Sequence, residues 1–188
     1  MEQPSSQAER ILDTALELAE NSSWEAVHLH QIADDLNITL DDIKQIYSSK
    51  DDLVEAWFDR ADSVVLANYV SADFIAQTKR ERLHKVIMLW FMSLSKHRTV
   101  SRQMLCYKFE FGHIHLQILG IMRISRTVQW FREAALIKTD NLQRILEEVC
   151  VTGIYLSSFV RWLFDDSTDS QRTSKYLERA LEHVRSLD

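Results

Sequence analysis

The sequence has few of the residues that interrupt helices. Three glycines and one proline in 188 residues cannot supply the turns that a sheet protein needs roughly every 8–12 residues. Most of the remaining chain has apolar residues recurring at a spacing of three or four. The scarcity of turn residues therefore argues against a sandwich or barrel and predicts an all-α fold, with helices joined by short polar connections.

Two further absences narrow the class of protein. No apolar run reaches the roughly 18–20 residues of a membrane span, and residues 1–9 are too polar for a signal peptide, so we expect a cytoplasmic protein. The two cysteines, Cys106 and Cys150, lie inside apolar helical patterns. We expect both thiols to be buried and reduced; a disulfide or a redox sensor is the alternative.

No pattern in the chain is typical of catalysis or of a metal centre. A Gly-rich phosphate loop, a nucleophile elbow and a cysteine with a placed histidine are all missing. His113 and His115 are two residues apart, and on a helix such positions point in nearly opposite directions, so they cannot chelate together. We expect no enzyme, no metal and no cofactor.

Capping signals divide the first part of the chain into short helices. Ser6 precedes Glu9 with the spacing of a capping box, and Thr39 stands three residues before Asp42 in the same pattern. Asn37 can take the left-handed conformation that ends a helix. Trp24 and Val27 are expected to anchor the core from a connecting turn. Helices are predicted at 6–20, about 29–36, about 40–47 and from 50, and the second and third form a helix-turn-helix.

The remainder of the chain predicts longer helices, at about 79–96, 99–110, 114–136, 140–164 and 169–187. Large apolar side chains on these helices would fill a core or line an apolar pocket. Arg123, Arg126 and Arg132 lie on one of them. One of these arginines could neutralise an acidic ligand, while salt bridges or solvent contact are the alternative.

Three segments between residues 8 and 60 share a known pattern: Ile11-Leu12-Asp13-Thr14-Ala15-Leu16, Trp24-Glu25-Ala26-Val27 and Tyr47-Ser48-Ser49-Lys50-Asp51-Asp52-Leu53. With them, residues 8–60 resemble the N-terminal part of TetR-family transcriptional regulators. It implies a helix-turn-helix head at 1–47 and a helical body at 48–188 that binds an effector and dimerises. Some positions depart from the family pattern, among them Ser23, Val27 and Asn37.

The resemblance also implies a function and a set of contacts. It implies a transcriptional repressor that binds double-stranded DNA as a homodimer and is controlled by a small apolar ligand. The expected DNA contacts are His28, Thr39, Leu40, Lys44, Gln45, Tyr47 and Lys50. The expected ligand contacts are Trp90, Met104, Tyr107, Met122, Arg126, Trp130, Tyr155 and Phe159. The homodimer would form through 140–187 and bury Leu146, Val149, Leu156, Val160, Leu177 and Leu181.

The formal charge of the first 60 residues bears directly on the hypothesis of DNA binding. Residues 1–60 hold four Lys or Arg and fourteen Asp or Glu, a formal charge of −10, against −6 for the whole chain. DNA affinity draws largely on cations placed against phosphate. Two alternatives therefore remain open: a lipid- or isoprenoid-binding protein that does not bind DNA, like the TetR-fold family of ubiquinone biosynthesis, and an acidic protein-interaction module. Trp162-Leu163-Phe164-Asp165-Asp166-Ser167 resembles that lipid-binding family as well.

Overall fold

A computed structural model describes residues 6–67, 71–108, 114–137, 141–184 and 187, without the side chains of 107–108, 114–122 and 141–143. Every regular element in these ranges is helical. The helices are α1 Gln7–Asn21, α2 Leu29–Leu36, α3 Leu40–Ile46, α4 Lys50–Ala67, α5 Ala72–Ile75, α6 Lys79–Ser93, α7 Arg98–Lys108, α8 Ile114–Ala134, α9 Asn141–Leu163 and α10 Gln171–Glu182; short 3₁₀ turns cover Ser95–His97 and Thr168–Ser170.

Two compact units are present. The first combines Met1–Arg60 with His97–Glu110, and the second combines Ala61–Lys96 with Phe111–Asp188. The boundary predicted after residue 47 marks the end of the helix-turn-helix, whereas the first unit continues into α4 and also takes in α7. None of the helices in the described ranges is long and apolar enough to cross a membrane.

The predicted cap residues set the ends of the short helices. The Ser6 hydroxyl accepts from the Glu9 N–H, and the Thr39 hydroxyl accepts from the Asp42 N–H. These bonds satisfy amide groups that have no partner inside a helix. Asn37 ends α2 in the left-handed conformation, at φ 52°. The helix-turn-helix predicted from the sequence is confirmed.

Two tryptophans hold α7 in the core of the first unit. Trp24 and Val27 are buried, as the sequence predicts. The backbone N–H of Trp24 donates to Oε1 of Gln103 at 2.7 Å, and the indole Nε1–H of Trp57 donates to Oγ of Ser101 at 2.9 Å. These bonds tie the turn after α1 and the first half of α4 to the same helix.

The second unit is built around aromatic rings from α6, α8 and α9. Trp90 contacts Phe131, Tyr155 and Phe159 edge to face, with ring centroids 5.3–6.1 Å apart. Trp162 stacks on Phe91. Edge-to-face and offset-stacked pairs add to the free energy of burying these large apolar surfaces. α10 packs against both α6 and α9.

The expected burial of both cysteines is wrong, since Cys106 and Cys150 are exposed free thiols. On α9, the buried positions Glu147, Val151 and Tyr155 recur every four residues, which turns residue 150 away from the core. On α7, the buried Met104 lies two positions before Cys106. A helix rotates by about 200° over two residues, so Cys106 points outward.

Leu177 and Leu181 are also placed differently from the expectation. Both are fully buried inside their own protomer, because α10 packs its apolar side against α6 and α9. They are therefore not available to a second subunit. The sequence does not predict α5, which follows the N-cap Ser71, because a single turn is too short to show a periodic pattern.

Candidate functional site

α3 presents a mixed surface. Leu40 is 54 % exposed and Ile46 is 38 % exposed, and Lys44 is exposed between them. Ile43 alone on this helix is fully buried and fixes it to the first unit. The exposed side therefore carries one cationic group, Lys44, together with the carboxylate of Asp41 and the amide of Gln45.

The two aspartates at the start of α3 have partners within the same helix and its cap. Oδ2 of Asp42 accepts from the Thr39 N–H at 2.8 Å and from the Thr39 hydroxyl at 2.6 Å, and these bonds lower the pKa of Asp42. Oδ2 of Asp41 accepts from the Gln45 amide at 2.9 Å. A carboxylate is favourable at a helix N-terminus, so Asp41 and Asp42 stabilise α3.

Two of the expected DNA contacts also make bonds inside the first unit. The Tyr47 hydroxyl donates to the Ala8 carbonyl of α1 at 3.2 Å, and burial, aided by the nearby charge of Glu9, raises the pKa of Tyr47. The Lys50 ammonium donates to the carbonyls of Glu25 and Val27. Burial lowers the pKa of Lys50, although the nearby carboxylates of Glu25 and Asp51 act to raise it.

His28 stands just before α2, where its N–H donates to Oε1 of Gln31 at 2.8 Å. Its ring is exposed and stacks on the exposed ring of His30, with centroids 5.4 Å apart and planes 12° apart. The expected contacts therefore fall into two groups. The exposed group is His28, Thr39, Leu40, Lys44 and Gln45, whereas Tyr47 and Lys50 are partly buried with partners.

The expected ligand contacts come together only in part. Trp90, Tyr155 and Phe159 meet in the aromatic core of the second unit, while Met104 is buried in the first unit. Arg126 and Trp130 are exposed on the outer side of α8. The side chains of Tyr107 and Met122 lie outside the described residues.

A buried charged cluster next to this aromatic core was not anticipated. Asp62 of α4 accepts from Trp90 Nε1 at 2.7 Å and from Arg123 Nη2 at 3.0 Å, and the Thr127 hydroxyl lies at 3.3 Å. Asp62 and Arg123 are 5 % and 7 % exposed. Burial raises the pKa of the nearby Tyr155 well above its usual range, and the charge of Asp62 adds to this effect.

Arg132 and Glu147 form a second buried pair. Salt bridges were one alternative for the arginines of α8, and Arg123 and Arg132 both take it. The sequence contains one indication of these two buried pairs: in each, a carboxylate lies among the apolar positions that form the buried side of a helix. Asp62 follows the buried Ala61 and precedes the buried Val65, and Glu147 lies four residues before the buried Val151.

Comparison with solved structures identifies the family to which this fold belongs. A TetR transcriptional regulator from Nitrosomonas europaea is 45 % identical, with 93 % of this chain and 95 % of that chain aligned at a TM-score of 0.82. The chain belongs to the TetR family. A TetR regulator from Rhodococcus sp. RHA1 shares the fold at 17 % identity, over 94 % of this chain and 93 % of that chain, at a TM-score of 0.68.

Another TetR-family regulatory protein from Rhodococcus RHA1 aligns at 20 % identity, over 96 % of this chain and 98 % of that chain, with a TM-score of 0.54. The family model named COQ9 matches residues 149–188, which span most of α9 and all of α10. No curated protein matches the chain significantly. The family assignment supports a regulatory role and favours a protein that is not an enzyme.

Proposed function

We propose that this TetR-family protein is a repressor that binds double-stranded DNA as a homodimer and is released by a small apolar ligand. The observation that carries the proposal is the helix-turn-helix of α2 and α3, whose second helix is exposed at Leu40, Lys44 and Gln45, in a chain 45 % identical to a TetR regulator over nearly its whole length. Such a helix enters the major groove while its neighbours contact the backbone.

Local bonding reduces the conflict between the acidic head and phosphate. Asp42 is held by Thr39, and Glu9 and Asp13 of α1 both pair with Arg60. Lys44 forms no ion pair within the described residues. We propose that Lys44 contacts phosphate or guanine and that Gln45 leaves Asp41 to pair with adenine.

α9 supplies the proposed dimer surface. An apolar stripe of Ile145, Leu146, Val149, Val160 and Phe164, each 57–68 % exposed, follows one side of this helix. Gly153 lies in the middle of the stripe, and nothing lies within 4 Å of a Cβ placed there. An apolar side of this length, left open in one protomer, fits helix-to-helix packing between two copies.

The effector is proposed to be apolar because of the residues around Trp90. Tyr155, Phe159 and Phe131 give large, flat contact surfaces, and the Asp62–Arg123 pair lies beside them. A ligand that enters this core would shift the population between a binding and a non-binding form. Asp62 is on α4, so α4 is the element expected to respond first.

A lipid-binding protein that does not bind DNA is the second candidate. It is favoured by the COQ9 match over residues 149–188 and by the charge of −10 on residues 1–60. The same charge supports an acidic protein-interaction module as a third. Both alternatives predict that the exposed side of α3 has no affinity for a duplex.

Selection from a random pool of duplex DNA, followed by sequencing, tests the proposal. A homodimer is expected to enrich a palindrome whose half-sites are about 10 base pairs apart, centre to centre. Lys44→Ala should reduce enrichment, and Lys175→Ala on the exposed side of α10 is the matched control. No enrichment at low salt would contradict DNA binding, and organic extraction of the purified protein would then test the lipid alternative.

A further inference from the structure

The first 60 residues hold few cations that are not already engaged. Of the four Lys and Arg, Lys50 donates to the carbonyls of Glu25 and Val27, and Arg60 pairs with Glu9 and Asp13. Arg10 and Lys44 are left to balance the other twelve carboxylates. Any further positive charge in this segment must come from its two histidines, His28 and His30.

The two imidazoles lie together on the surface of the helix-turn-helix. Both rings are exposed, and they stack with centroids 5.4 Å apart. Within the described residues, neither ring forms an ion pair with a carboxylate. His97, the other histidine of the first unit, is instead buried and bonded to Glu20 through Nδ1 at 2.8 Å.

Charged residues occur on α2 itself and on the elements next to it. Asp34 follows His30 by four residues on α2, Glu25 is in the preceding turn, and Lys50 and Asp51 begin α4. The elements that pack on α2 add further charges: Glu9, Arg10, Asp13, Glu17 and Glu20 from α1, and Asp41, Asp42 and Lys44 from α3. The carboxylates in this set outnumber the cations.

Adding a second proton to a stacked pair places two like charges side by side, which is unfavourable. An anion beside both rings removes that repulsion and stabilises the doubly charged form. A phosphate of the duplex backbone is such an anion, and imidazole is the side chain that gains charge near neutral pH. Binding of a polyanion and uptake of protons are therefore linked.

We propose that His28 and His30 together contact phosphate and that their protonation makes DNA binding stronger as the pH falls from 8 to 6. This inference rests on the proposed DNA binding and assigns to it a pH-dependent control. Each linked proton contributes at most about tenfold in affinity per pH unit. We expect the protein to bind its selected duplex about three- to tenfold more tightly at pH 6 than at pH 8.

Fluorescence anisotropy titrations with the selected duplex at constant ionic strength from pH 6 to 8 test the inference. His28→Gln with His30→Gln should remove the pH dependence, whereas His28→Lys with His30→Lys should bind tightly throughout the range. His183→Gln, at an exposed histidine just after α10, is the matched control and should keep the wild-type slope. Calorimetry in two buffers of different ionisation enthalpy should detect proton uptake on binding.

The outcomes separate this inference from the function on which it rests. Binding that is specific but equally strong at pH 6 and 8 overturns the histidine proposal and leaves the repressor proposal intact. A pH slope that survives in the Gln double variant overturns it too and would point to His97 or a carboxylate. No binding at any pH overturns both.

Discussion

Replacement of Asp62 by asparagine tests whether the buried charged cluster holds the second unit together. The Asp62 carboxylate accepts from Trp90, Arg123 and Thr127 in a site where both charges are less than a tenth exposed. The Asp62→Asn substitution keeps the size of the side chain but removes the carboxylate charge that faces the Arg123 guanidinium. Removing one partner of a buried ion pair costs about 3–5 kcal/mol.

Urea denaturation and thermal unfolding at matched protein concentration measure this cost. For a chain of this size we expect Tm to fall by about 6–20 °C, at about 2–4 °C per kcal/mol. The double variant Asp62→Leu with Arg123→Met removes both charges and should regain about half of the lost stability. Asp166→Asn is the control, because Asp166 and its partner Arg172 are both highly exposed, and it should cost no more than about 0.5 kcal/mol.

A loss below about 1 kcal/mol for Asp62→Asn would refute this reasoning. It would mean that the Arg123 guanidinium finds solvent or another acceptor once the carboxylate is replaced by a neutral amide. The Asp62 cluster would then be a peripheral feature of the second unit, and α4 would lose its proposed link to the aromatic core.

Substitutions at three further positions test the capping of α8, the proposed dimer surface and the bonds of Asp165. Leu136 follows α8 in the left-handed conformation, at φ 55°. Leu136→Gly should therefore raise the free energy of unfolding by about 0.5–1 kcal/mol, because glycine adopts this conformation without strain. Leu136→Ala keeps a Cβ and should give no such increase; an increase in stability for the alanine variant alone would contradict this. Gly153→Ala should stabilise an isolated protomer by about 0.5–1 kcal/mol, because nothing lies within 4 Å of the added Cβ. Gly153→Leu should weaken the proposed dimer, measured by analytical ultracentrifugation. An unchanged dissociation constant would place the interface elsewhere. Burial opposes ionisation of Asp165, yet hydrogen bonds from Ser167 and Thr173 outweigh it and lower its pKa well below the usual range, so Asp165→Asn should cost about 2 kcal/mol at pH 7. Because the folded pKa is the lower one, that cost should shrink as the pH falls below about 4 in urea titrations, and a pH-independent difference would contradict it.

The first part of the chain could be predicted closely because its signals are local. Thr39 and Asp42 form a cap within one turn, and Asn37 needs only its own side chain to tolerate the left-handed conformation. Trp24 and Val27 are apolar residues in a polar turn, and burial follows from that contrast.

The candidate site could be predicted less completely because its contacts are distant in sequence. Asp62 and Arg123 are 61 residues apart, so no local pattern links them. Leu177 and Leu181 have the spacing of either an internal or a subunit-facing side, and only the packing of α10 on α6 and α9 distinguishes the two. The exposure of Cys150 depends in the same way on which side of α9 faces the core.

DNA binding by α3 is the central claim, and its dependence on salt tests it most directly. Anisotropy of the selected duplex should show an affinity that falls as salt rises from 50 to 200 mM, because bound cations are released from phosphate. Lys44→Ala should weaken binding and lower the slope by about one counterion, while Lys175→Ala should change neither. Absence of binding at the lowest salt, where attraction between Lys44 and phosphate is strongest, would contradict the account.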